Sequence, residues 1–136
     1  MSSLKLGLLL ASLALGACSS QSEPGSESLA GVSSEKGAFI ATFSPEPNPP
    51  KTGENALAIS LAGADGAAIT GAALQVEPWM PAHGHGTSHE PVVSELGDGE
   101  YRAEKIDFMM PGHWELRIAV TAGETRDGFV VSYEVK

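Results

Sequence analysis

The chain has 136 residues, with 8 basic and 17 acidic side chains, a formal net charge of −9 and one cysteine. That balance repels phosphate backbones, and no basic patch offsets it, which argues against nucleic acid as a partner. A single thiol leaves no intramolecular disulfide and no thiolate cluster for a metal.

The first 17 residues read as an export signal, with Lys5 for charge, an apolar stretch from Leu6 to Leu15, and the small residue Ala17 before the cut. The stretch is shorter than the roughly 18 residues that a membrane-spanning helix needs. The string Leu15-Gly16-Ala17-Cys18 resembles the bacterial lipobox. That resemblance implies cleavage before Cys18 and acylation of its sulfur, which would hold the rest of the chain on a membrane of the cell envelope. Ser19 is not the aspartate that often retains lipoproteins at an inner membrane, so an outer-membrane destination is favoured for a Gram-negative source. Without Lys5 the processed chain has 7 basic and 17 acidic side chains, a formal −10.

Residues 18–36 are rich in Ser, Glu and Gly and poor in large apolar side chains, the composition of a flexible tether. The folded domain is then expected over 37–136. Within it the apolar or alternating runs are Ala38 to Ser44, Asn55 to Ala62, Ala72 to Pro78, Pro91 to Leu96, Glu100 to Ile106, Trp114 to Ala122 and Gly128 to Val135. They are bounded by turn signals such as Asp65-Gly66, Asp98-Gly99 and Ala122-Gly123. Trp114, Leu116, Ile118 and Val120 share one parity and line one face, with Glu115 and Arg117 on the other. No run has helical periodicity. The expected fold is all-β, an antiparallel β-sandwich of immunoglobulin-like kind with about seven strands. Tyr101, just after Asp98-Gly99, is expected to bond back to the preceding turn as a tyrosine corner does.

All four histidines lie between His83 and His113, and all three methionines beyond the signal lie close by, at Met80, Met109 and Met110. Imidazole and thioether together suit copper, and the thioether favours Cu(I). In Met80-Pro81-Ala82-His83-Gly84-His85-Gly86 an extended backbone would send both imidazoles to one side. Gly84 and Gly86 leave room for a bend and for close approach of a partner. Met110-Pro111-Gly112-His113 sits at a comparable strand edge and could bring Met110 or His113 alongside. The candidate ligands are therefore Met80, His83, His85, Met110 and His113. Core packing competes for Met110, which has the parity of Ile106 and Phe108; solvent competes for His89. The spacing does not match a closed zinc site.

Met80-Pro81-Ala82-His83-Gly84-His85, followed by Gly99-Glu100-Tyr101 and by Phe108 to Leu116, resembles the YtkA-like domain, which is related to the FixH group. Pro50 to Asn55, Asp65-Gly66 and Gly71-Ala72 resemble its opening strands. The resemblance implies an immunoglobulin-like sandwich attached to a membrane. It also implies a partner among copper proteins or respiratory oxidase complexes, although FixH relatives usually carry a transmembrane helix that the processed chain lacks. Two functions stay open: a module that holds or delivers copper, and a metal-free interaction domain that assists assembly of a membrane complex. An enzyme is not expected, because no nucleophile elbow and no phosphate-binding glycine loop is present.

Overall fold

The computed structural model describes residues 27–136. The export signal and Cys18 lie outside the described residues. Nine strands follow in order: β1 (Leu29–Ser33), β2 (Phe39–Glu46), β3 (Gly53–Gly63), β4 (Ala73–Met80), β5 (His85–Gly86), β6 (Val92–Gly97), β7 (Glu100–Phe108), β8 (Gly112–Ala122) and β9 (Thr125–Val135). They form a five-stranded sheet, β1-β2-β3-β7-β6, and a four-stranded sheet, β5-β4-β8-β9, with every pairing antiparallel. No helix occurs among the described residues. All seven expected strands are present, and the expected sandwich is the fold.

Alternation builds the core between the sheets. Phe39, Ala41 and Phe43 of β2, Leu57, Ile59 and Leu61 of β3, and Trp114, Leu116, Ile118 and Val120 of β8 are buried, while their odd-man neighbours are not. Strand β7 breaks that rhythm. Tyr101 and Ala103 face inward, and then Ile106 and Phe108 do. The register explains it: Leu57 pairs with Ala103 but Asn55 with Ile106, so β7 carries one extra residue at this point. Lys105 sits there with φ of 59°. This bulge restores the inward direction of the last turn of β7 and aims Phe108 at Trp114.

Two expectations are corrected. The tether assigned to 18–36 is too long at its C-terminal end, since Leu29–Ser33 is strand β1, paired with β2. Composition pointed the other way because the polar groups of this stretch are satisfied from afar. The Asp127 carboxylate accepts from Ser34 Oγ at 2.6 Å, from the Ala38 and Lys36 amides at 3.1 and 3.0 Å, and from the Gly128 amide at 2.8 Å. Tyr101 also departs from the local corner. Its hydroxyl donates to the Ile69 carbonyl at 2.8 Å and accepts from the Ala72 amide at 3.1 Å, so it ties down the β3–β4 connection instead of its own turn.

Asp127 gives the fold an acid sensitivity. Burial pushes its pKa up, but the hydrogen bonds from Ser34, Gly128, Ala38 and Lys36 outweigh it and hold the group at about 2, below its ordinary 3.8. A depressed folded pKa contributes stability that is present above the unfolded value and lost as pH falls through the folded one. Urea midpoints should therefore decline from about pH 4 towards pH 2. Asp127→Asn should be less stable than the parent at pH 7 and show a shallower decline over that window; parallel curves would refute this role for the clasp.

Candidate metal centre

The Met80–Gly86 segment is a hairpin rather than one extended run. Pro81 to Gly84 form a tight turn in which the His83 and Gly84 amides donate to the Met80 carbonyl at 3.2 and 2.9 Å. The chain then re-enters the sheet as β5, where His85 pairs with Met80 and Gly86 with Trp79. The two imidazoles meet all the same, with ring centres 5.6 Å apart and planes at 45°. The turn folds His83 back over His85, which achieves what an extended backbone was expected to do.

His85 is half-buried and His83 exposed. Directly paired residues of an antiparallel ladder point to the same face, so Met80 and His85 are cross-strand neighbours. Met80 is 3% exposed and faces the core. A Cβ on Gly112 would lie 2.7 Å from the Met80 Cε, at a backbone φ of 134°. Glycine at 112 thus admits the end of the thioether side chain beside the first residue of β8. Gly86 is also fixed by close approach, since a Cβ there would lie 2.8 Å from the Pro78 carbonyl oxygen. The neighbour that needs this glycine is the chain's own β4, not a partner as the sequence suggested.

Under the pair lies Trp114, fully buried, with its ring edge-on to His85 at 6.1 Å and 5.4 Å from Phe108. Its indole N–H donates to the Met110 carbonyl at 2.9 Å. Met110 therefore sits on the indole that supports His85, and its side chain is partly buried against the core. Sequence reasoning placed Trp114 on the inner face but missed it as the floor of the histidine pair. The His85 Nδ1 is 3.0 Å from the Gly86 carbonyl oxygen. A carbonyl only accepts, so Nδ1 carries the proton and Nε2 keeps the free lone pair.

His113 is not brought to this group. It is the neighbour of inward-facing Trp114 and so points out of the sandwich, where its Nδ1 is 2.6 Å from Glu134 Oε1. His89 is also apart, exposed and 3.2 Å from the Ser88 hydroxyl. It lines a cleft of about 350 Å³ along β4 together with Gln75, Glu77 and Thr87, and that cleft includes neither His83 nor His85. Met109 is 46% exposed. Among the described residues, no three His, Cys, Asp or Glu side chains converge where one ion could be held. Any single-ion site built on His83 and His85 must draw further ligands from elsewhere, and Met80 is the adjacent donor.

Comparison with known proteins adds one finding: a family model described as YtkA-like matches residues 37–119. No curated protein and no solved structure matches the chain. The matched span runs from the turn before β2 into β8, and includes the histidine hairpin, Met110 and Trp114.

Proposed function

The chain belongs to the YtkA-like family, and from that premise we propose that it is a lipid-anchored cell-envelope module that holds copper and hands it on. Copper is the cargo, taken by His83 and His85 with Met80 as a further ligand and Met110 as the next thioether at hand. Cys18 is the anchor, which commits the only thiol to lipid and leaves metal chemistry to histidine and methionine.

The observation that carries this reading is the spacing of the two imidazoles beside a methionine. With a metal–nitrogen distance of about 2.0–2.1 Å, two rings on one ion have centres roughly 5–6.5 Å apart. The observed 5.6 Å fits that range. The His85 proton on Nδ1 presents Nε2, and the Gly86 carbonyl fixes that tautomer as an outer partner does for a ligating histidine. Two imidazoles with a thioether form a soft donor set that favours Cu(I), and a weak thioether bond makes exchange with a partner easy.

A soluble form starting at Ser19, titrated with Cu(I) against a competing chelator, tests the site. His83→Ala with His85→Ala should weaken binding by at least about 100-fold, while Met80→Leu should weaken it less and keep the fold, because the swap conserves volume. Unchanged affinity in the double variant would sink the copper reading and leave a metal-free docking domain for a membrane complex in its place.

A further inference from the structure

The register brings the start of the described chain and the histidine hairpin to one end of the sandwich. Strand β1 begins at Leu29 opposite Phe43, near the end of β2, and β2 finishes at Glu46 opposite Ala56, near the start of β3. Gly53 at the start of β3 pairs with Phe108 at the end of β7. Met109 to Pro111 then lead into β8, whose Gly112 pairs with Val135 of β9 and whose Glu115 pairs with Trp79, near the end of β4. Met80 and His85 close that same end.

Contacts across this end agree. The Thr52 amide donates to the carbonyl of Lys136 at 2.9 Å, and the Glu27 amide donates to Asn48 Oδ1 at 2.7 Å. Tyr133, the register partner of Trp114, has its pKa raised by burial and then by the nearby Glu27 carboxylate. The Asp98-Gly99 and Gly123-Glu124 turns and the Asp127 clasp lie at the opposite end. The two segments that frame the histidine pair are sparing of charge, although Glu27, Glu46, Lys51, Glu134 and Lys136 lie at the same end. Pro78 to Ser88 and Phe108 to Trp114 contain no Asp, Glu, Lys or Arg, in a chain with 17 acidic side chains.

We propose that the histidine end faces the lipid surface, so that the cargo is exchanged with a membrane-embedded protein whose metal ligands open at that surface. This rests on the lipid anchor at Cys18 in the function proposed above. Cys18 precedes Glu27 by nine residues, and nine residues in any conformation span at most about 32 Å. An 11-residue strand such as β8 is about 36 Å long. The tether therefore keeps the near end within about 32 Å of the bilayer, whereas the far end can stand a further domain length away.

Two measurements test this on the full lipidated chain in vesicles of phosphatidylethanolamine and phosphatidylglycerol. With Cys18 blocked by lipid, an introduced cysteine is the only free thiol and takes a donor dye. Energy transfer to an acceptor on the lipid headgroups should be stronger from Ala82→Cys than from Glu124→Cys, and stronger from Lys51→Cys than from Asp65→Cys. Equal or reversed transfer in both pairs, from chain that sediments with the vesicles, overturns the orientation and leaves the anchor standing. Failure to sediment with the vesicles overturns the anchor and the orientation together. For the partner, a photo-crosslinker at Ala82 is used in cells with a protease site inserted between Ser26 and Glu27. After cleavage and a carbonate wash, the crosslinked product should stay in the membrane pellet; its release into the wash overturns a membrane-embedded partner.

Discussion

Trp114→Ala is expected to lower stability by about 3–5 kcal/mol, with the Tm falling by roughly 15–25 °C. Trp114 is fully buried and touches both Phe108 and His85, and its indole N–H holds the Met110 carbonyl. Truncation removes the largest side chain of the core, opens a cavity at the histidine end and strands that carbonyl without its donor. A domain with about 5–15 kcal/mol of total stability then sits near its threshold. Trp114→Phe isolates the smaller contribution, keeping a ring under His85 and losing the hydrogen bond, for about 1–2 kcal/mol. Urea unfolding with an unchanged slope checks both. A loss below about 1 kcal/mol for Trp114→Ala would show that the histidine hairpin does not depend on this floor.

Inserting one alanine between Lys105 and Ile106 should be worse still. One residue more in β7 reverses the parity of everything after it, so Ile106 and Phe108 turn to solvent and Asp107 turns inward. Exposing two apolar side chains costs about 1.5–3 kcal/mol each, and an inward carboxylate adds to that. The total, about 4–8 kcal/mol, is enough to unfold the domain. Lys105→Gly is the matched control. It keeps the residue count and relieves a left-handed backbone at φ of 59°, so its stability should stay within about 1 kcal/mol of the parent, on the favourable side. A folded insertion variant with native-like tryptophan fluorescence would mean that the strand slips to absorb the change and that the residue count at the bulge does not set the direction of Phe108.

These two results bear on the site as well as the fold. The bulge aims Phe108, Phe108 rests on Trp114, and Trp114 supports His85, so one extra residue in β7 reaches the candidate ligands through two aromatic contacts. Sequence reading could have excluded His113 by the same parity that put Trp114 inside, because neighbours on a strand face opposite ways. His83 and His85 were legible as a pair from their spacing and their glycines. The backbone that joins them was not, because a four-residue turn and a two-residue strand are too short to leave an alternation.

What the sequence determined by itself is everything that alternates locally: seven of the nine strands, the inner face of β8, and the gathering of histidine and methionine into one stretch. Period-two burial is written in consecutive residues, so it can be read without knowing what lies opposite. Only the tertiary structure decided that Leu29–Ser33 is a strand, that Met80 is the neighbour of His85, and that the histidine end is the end where the described chain begins. Each of those depends on register or on a polar group satisfied across the fold. Ser34, which follows β1 of one sheet, and Asp127, in β9 of the other, are 93 residues apart and meet across the fold.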